Sequence, residues 1–286
     1  MAVGSASCAH LIMPLMRLGI LGGGVIARLI LDTVKRGELE GIEPVAIMGR
    51  NAQSRGRPIA EANGLAYVTR LEDLLALKPD VIVEAASHDA VRDFGPAILD
   101  AGVAFLVLSC GALSNDALRE RLESAAARSG AMLYVPSGGI GGLDTLKAVV
   151  VAGCDEAEIA VTKPPAAWKG IAYVDKLGID LDSLAGPTVL FEGTAREGVP
   201  YFPANVNIAA ALSLAGIGFD RTRLKVVADP ALKFNTHFIT FKGKTGTVNI
   251  RFESLAFPDN PKTSYLAAVS ALAALKEFSS KVRYGT

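Results

Sequence analysis

Cysteine is scarce in this chain, and neither charge sign is in excess. Cys8, Cys110 and Cys154 are its three cysteines, far apart and without a Cys-x-x-Cys pair. That spacing argues against a disulfide framework or a zinc cluster, so no metal is expected and a reducing cytoplasm is the expected compartment. Lys+Arg and Asp+Glu number 29 each. With no basic tract and no interleaving of basic and aromatic residues, the concentrated positive field that nucleic acid requires is missing. No run of about 20 uninterrupted apolar residues exists, so no membrane span is expected. The opening residues, MAVGSASCAHLIMPLM, lack a positively charged start, and Pro14 breaks their apolar run. They read as a loose leader rather than a signal peptide, with Met13 or Met16 as alternative starts.

What is present is apolar. Hydrophobic residues make up 50% of the 286 and charged residues 20%, enough for a sizeable core and for two domains of ordinary size. From Leu18 onward, short apolar runs alternate with helical patterns. Strands are expected at 18–21, 44–48, 66–68, 81–86 (VIVEAA), 104–108 and 132–135. Helices are expected at 25–35, with Ile26, Leu29, Ile30 and Val34 as its apolar face, and at 58–63, 71–77, 90–101 and 114–129, with Ser114 as N-cap of the last. Strands alternating with helices predict a parallel sheet covered on both faces.

The pattern changes after about Gly142. A helix at 143–151 precedes strand-like runs at 159–163, 188–192, 224–228, 236–241 and 245–252. The last two flank Lys242-Gly243-Lys244 as a hairpin. An apolar helix is expected at 205–215. A final one at 263–279 is amphipathic through Leu266, Val269, Leu272 and Leu275. The expected fold is therefore α/β: an N-terminal Rossmann doubly wound parallel sheet, residues 17–140, with a second α/β domain built on a mixed sheet, residues 141–261. The C-terminal stretch 262–286 is expected to pack back on the first domain.

Gly22, Gly24 and Ala27 fit Gly-x-Gly-x-x-Ala between a strand and a helix. Gly22 permits a tight turn, Gly24 lets backbone approach a pyrophosphate, and Ala27 is small enough for helix and strand to touch. Free N–H groups at the helix start, around Val25 and Ile26, would meet the anion. A NAD-selective site would place Asp or Glu after the second strand; here Gly49-Arg50-Asn51 stands there. Arg50 either pairs with a 2′-phosphate or is an ordinary loop cation, so NADP or NAD is the expected cofactor. Ala86-Ser87-His88 and Ser109-Cys110-Gly111 follow two further strands and are placed to line the nicotinamide end. His88 is read as a loop or helix-start residue ahead of a catalytic base, and Cys110 as a packing residue ahead of a nucleophile.

Further polar or glycine-rich segments follow: Pro136-Ser137-Gly138-Gly139-Ile140-Gly141-Gly142-Leu143-Asp144, whose helix start would offer N–H groups to an anion, then Pro203-Ala204-Asn205-Val206-Asn207, and Asp229-Pro230 with Phe234-Asn235-Thr236-His237. Taken with the glycine-rich start and Thr162-Lys163-Pro164-Pro165, their order and spacing resemble the L-aspartate dehydrogenase family over nearly the whole chain from Leu18. That resemblance implies a Rossmann domain, a second α/β domain, a homodimer, and oxidation of L-aspartate to iminoaspartate, which yields oxaloacetate and ammonia or feeds pyridine nucleotide biosynthesis. It places the family's active-site histidine at His237 and its NAD-contacting asparagine at Asn207. A further nucleotide contact, an alanine in the family, falls on Gly139.

The residue types suit that chemistry. Amine oxidation needs a neutral amine, a hydride acceptor over Cα and a group that moves protons, and histidine titrates nearest neutral pH. A dicarboxylic amino acid needs cations or N–H donors; Lys163 is the candidate carboxylate partner, with Asn235 beside it as a substrate-binding candidate. Two alternatives stand: an oxidoreductase like homoserine dehydrogenase or dihydrodipicolinate reductase, and a non-catalytic regulator that senses NADP.

Overall fold

The computed structural model describes residues 15–203, 206–257, 260–282 and 284. Most of the expected leader, both alternative-start Met13 and Cys8 within it, and Asn205 at the expected start of a helix lie outside the described residues. Strands β1 (Met16–Leu21), β2 (Ile42–Met48), β3 (Ala66–Val68), β4 (Val81–Glu84), β5 (Ala104–Val107) and β6 (Leu133–Tyr134) form one parallel sheet. Helices α1 (Val25–Lys35), α2 (Gly56–Ala62), α3 (Leu71–Ala76), α4 (His88–Asp100) and α5 (Asp116–Ser129) connect the strands. Sheet order is β3-β2-β1-β4-β5-β6. The chain winds outward from β1 to β3 and then returns to β4, so a crevice opens at the strand carboxyl ends where the winding reverses. This is the doubly wound sheet that the alternation predicted.

Details of registration differ. In α1 the buried residues are Ala27, Ile30, Leu31 and Thr33, and Ile26 instead faces the crevice. Helix α5 is capped by Asn115, whose Oδ1 accepts from the Leu118 N–H at 2.9 Å. Ser114, the expected cap, closes the preceding 3-10 turn and donates its hydroxyl to the Gly111 carbonyl. Both residues are good caps; the extra turn decides between them.

The rest of the chain adds α6 (Leu143–Ala152), β7 (Cys154–Lys163), α7 (Ala172–Lys176), β8 (Thr188–Thr194), α8 (Ala195–Gly198), α9 (Asn207–Ala215), β9 (Thr222–Ala228), β10 (Asn235–Gly243) and β11 (Gly246–Ser254). Its five strands form a mixed sheet in the order β11-β10-β7-β9-β8, with only β7 and β9 parallel. Gly243 pairs with Gly246, so the hairpin turns at Lys244-Thr245, beyond the centre of the expected turn Lys242-Gly243-Lys244. Alternation along β10 buries Asn235, His237, Ile239 and Phe241 and leaves Phe238 exposed. A short pair, β12 (Ala256–Phe257) and β13 (Asn260–Ser264), leads into α10 (Tyr265–Ser279).

Three contacts fix how these parts meet. One hydrophobic core runs from Ile82 and Phe105 through Leu146 and Ala210 to Ile159 and Ile239. Each fully buried Leu, Ile or Phe in it is worth roughly 1.5–3 kcal/mol. Arg196 of α8 bonds Asp220 through Nε and Nη2 at 2.8 Å each and reaches the Ser114 carbonyl and Asp116 at the start of α5. On the far side of the parallel sheet, Ala274 and Leu275 of α10 join Leu18, Ile20, Ile30 and Leu31, and the Tyr134 hydroxyl donates to Glu277 at 3.0 Å. The α10 stripe is smaller than expected: Ala268, Ala271 and Ala274 are buried with Leu275, while Leu266, Val269 and Leu272 flank them. Among the described residues, no helix is long and apolar enough to cross a membrane. Among them too, no group of three or more His, Cys, Asp or Glu could hold a metal ion.

Candidate active site

The turn after β1 uses three successive glycines for three reasons. Gly22 has φ 110°, and a Cβ there would sit 2.6 Å from the Ala85 carbonyl oxygen. A Cβ on Gly23 would run into the backbone of Gly56 at the start of α2. At Gly24 a Cβ would meet nothing within 4 Å, so the space beside it is open. Helix α1 then begins with no side-chain cap and no acidic residue in its first turn. Its first N–H groups and the positive end of its dipole are therefore left for an anion. A dinucleotide pyrophosphate fits this cradle.

Beside it lies a cleft of about 710 Å³. Gly24, Val25 and Ile26 form its phosphate end, and Ala86, Ser87 and His88 continue the wall after β4. Ser109 follows after β5 and Gly139 after β6, while Lys163, Asn207 and His237 come from the second unit. Glu84, the last residue of β4, is fully buried behind this wall. Its Oε1 accepts from the N–H groups of Ala86 and Ser87 and from the Ser109 hydroxyl, at 2.7, 2.8 and 2.9 Å. Its Oε2 accepts from the Ser109 N–H at 2.9 Å. Burial pushes its carboxyl up from the ordinary carboxylate range, and these four donors pull the other way.

Register sets the chemistry of the second wall. His237 on β10 lies opposite Val161 of β7 and Phe252 of β11, on the buried face, and is 2% exposed. Burial first, then the nearby Lys163 ammonium, push the imidazole down to about 3, while the Thr236 backbone pulls weakly upward. Its Nδ1 has no well-formed hydrogen bond. Lys163 ends β7 on the same face at 6% exposure, and burial brings its ammonium down to about 8. Its Nζ lies 5.3 Å from the centroid of the Trp168 ring. That indole is itself fixed by donating to the Val227 carbonyl at 3.0 Å. A weakly solvated ammonium of this kind attracts a carboxylate far more strongly than a surface lysine does.

Asn207 opens α9. Its Oδ1 accepts from the Gly111 N–H at 2.9 Å and lies 3.1 Å from Nε2 of His88. An amide oxygen cannot donate, so His88 carries its proton on Nε2, and the Asn207 NH2 is turned away from both. His88 thus serves as a donor to Asn207 in the cleft wall, which leaves Nδ1 as its only basic nitrogen.

Several expected site residues fall outside the wall. Gly22 and the fully buried Ala27 act through backbone turning and helix–strand contact. Arg50 is exposed beyond β2. The Gly111 N–H is already taken by Asn207. Asn235 shares the buried face of His237 but does not reach the cleft surface. At the expected anion site before α6, Gly141 packs on Phe252 and Gly142 on Ile250 of β11, and no side chain caps the helix. Cys110 is buried and pushed up to about 12, chiefly by burial and then by Glu84, so it is no nucleophile. Sequence reasoning missed Glu84, which stood inside a run read as a buried strand; a lone carboxylate in such a run signals a buried acceptor. It also missed the Gly23–Gly56 contact, for which one sequence holds no signal.

With this geometry in place, comparison with known proteins is specific. Residues 144–278 match the family profile described as aspartate dehydrogenase, C-terminal. Residues 22–136 match the homoserine dehydrogenase NAD binding domain. The chain is 41% identical over 275 residues to L-aspartate dehydrogenase of Methanosarcina mazei, covering 95% of this chain and 100% of that one. It is 42% identical over 270 residues to L-aspartate dehydrogenase 2 of Bordetella pertussis, covering 94% and 97%. The crystal structure of aspartate dehydrogenase from Thermotoga maritima superposes with a TM-score of 0.73 at 28% identity, covering 94% and 99%. A hyperthermophilic archaeal homoserine dehydrogenase in complex with NADPH shares the fold alone, with a TM-score of 0.57 at 12% identity, covering 94% and 99%.

Proposed function

Because the chain belongs to the L-aspartate dehydrogenase family, we propose that it oxidises L-aspartate with NAD or NADP to iminoaspartate, which water converts to oxaloacetate and ammonia. The observation that carries this reading is one cleft holding both an uncapped helix start, suited to a dinucleotide, and a buried Lys163–His237 pair, suited to an acidic amino acid. When bound, the nicotinamide supplies the hydride acceptor for the substrate Cα. The protein's residues do the rest. The helix start of α1 binds phosphate. The Lys163 ammonium pairs with a substrate carboxylate, and the Asn207 amide, held by Gly111 and His88, presents its NH2 to the cofactor.

His237 is neutral before substrate arrives and so is able to take a proton. Pairing Lys163 with a carboxylate cancels the charge that helps to hold the imidazole down, so its basicity rises as the substrate seats. It then accepts the proton lost when water adds to the imine carbon, and returns it as ammonia leaves. No carboxylate follows β2 to repel a 2′-phosphate, which supports the use of NADP with Arg50 as its partner. A homodimer formed through the open face of the mixed sheet, where Phe238 and Val189 are 46% and 45% exposed, belongs to the same proposal. So does a cytoplasmic place of action, where the nucleotide and amino-acid pools are held.

The test is absorbance of reduced cofactor formed from L-aspartate, homoserine and other amino acids at alkaline pH, with NAD and with NADP. L-Aspartate is expected to be the preferred substrate, and Arg50→Asp is expected to shift preference toward NAD. Nucleotide binding without oxidation of any amino acid would return the sensing reading to the front. Equal loss with both cofactors would remove Arg50 from the 2′-phosphate site.

A further inference from the structure

Glu84 is a fully buried carboxylate at the end of a central strand. A valine or methionine would fill such a position without the desolvation that a carboxylate suffers. Its four hydrogen-bond partners are all donors from the two loops that follow β4 and β5, and none of them is a cation. Peptide N–H groups donate only, so three of the four bonds demand acceptor oxygens, and both oxygens are engaged. This is the pattern of an ionised carboxylate.

The loops it ties together are walls of the cleft. Ala86 and Ser87 lead into α4, where Ser87 caps the helix through the Ala90 N–H. Ser109 begins the 3-10 turn. The next residues along both loops converge on Asn207: His88 through its side chain, Cys110 through Sγ to the Asn207 carbonyl at 3.2 Å, and Gly111 through its N–H. One carboxylate therefore sets the spacing of two loops, and those loops together orient one amide of the opposite wall.

We propose that Glu84 is a positioning residue for cofactor binding, holding the β4 and β5 loops, and through them Asn207, as the wall against which the nicotinamide half of NAD(P) packs. This rests on the cleft being the cofactor site. It acts by geometry, without touching the reacting atoms.

NADPH fluorescence titration tests it, alongside thermal melting, on the wild type, Glu84→Gln and Ser109→Ala. In Glu84→Gln one oxygen becomes an NH2 group that faces peptide donors, so at least one charge-assisted bond turns repulsive. The Kd for NADPH is expected to rise about tenfold or more, with the KM for L-aspartate at saturating cofactor moving by less than about threefold. Ser109→Ala keeps the peptide bond to Oε2 and loses only the hydroxyl, so a rise of about two- to fivefold is expected. A folded Glu84→Gln protein that binds NADPH within about twofold of the wild type overturns the proposal, because a residue needed only for folding would lower the melting point and spare the Kd. Should that variant not fold, Ser109→Ala decides, and an unchanged Kd there overturns it equally. NADH replaces NADPH in the titrations if the wild type binds only NADH, and failure of the wild type to bind either overturns the cofactor reading itself, a result distinct from the other two.

Discussion

A histidine held at about 3 by burial and by a neighbouring ammonium is an unprotonated base throughout the neutral range. His237→Asn keeps the size and polarity of the side chain but cannot take up a proton, so turnover is expected to fall about 10²-fold or more while NADPH still binds. The same residue has a signature in stability. Its folded value lies below the ordinary 6.5, so between those two values the unfolded chain binds the extra proton. Stability therefore falls as pH drops below about 6.5, by up to about 1.4 kcal/mol per pH unit from this site. Denaturant melts of His237→Asn should fall less steeply over that interval; parallel slopes would contradict the buried neutral state. His237 and Asn207 were singled out in the sequence by a family resemblance and Lys163 by the charge of a dicarboxylate ligand, and all three line one cleft. Their electrostatics were not legible there, since burial and the Lys163–His237 proximity arise from pairing β7 with β10. Glu84 was hidden for the opposite reason: a strand pattern is judged on its apolar majority, and the exception carried the meaning.

At the scale of elements, the β1–α1 turn shows both what a sequence discloses and what it withholds. Its spacing announced a phosphate cradle, and the open side of Gly24 agrees with that. The tightest position, however, is Gly23, pressed on Gly56 of a helix more than thirty residues away along the chain. Gly23→Ala places a methyl against backbone that cannot swing aside. It is expected to destabilise the protein by about 1–3 kcal/mol and to weaken NADPH binding, read by melting and by fluorescence. An unaffected variant would show that the two loops are not in contact. Strand and helix positions followed from periodicity, whereas termini did not. Asn115 displaced Ser114 because a 3-10 turn intervenes, and alanines displaced leucines on α10 because close packing on the first unit favours small side chains. The contact of Gly141 and Gly142 with Phe252 and Ile250 of β11 had no signal in the sequence, because it joins residues more than a hundred positions apart.

For the molecule as a whole, the cleft lies between two sheets that share one core and are bridged by Arg196. The two-part division was readable from the change of pattern after Gly142; the continuous core and the bridge were not, because both pair residues far apart in sequence. The free face of the mixed sheet makes the proposed homodimer testable. Phe238→Asp sets a charge in the middle of that face, and sedimentation should show the variant as a monomer with its fold intact. A wild type that sediments as a monomer would end the dimer reading. Helix α10 has a consequence of another kind. Ala274 and Leu275 pack with Leu18 and Ile20 of β1 and Ile30 of α1, so a chain deprived of α10 would present part of the first unit's apolar interior to water and would be expected to clump.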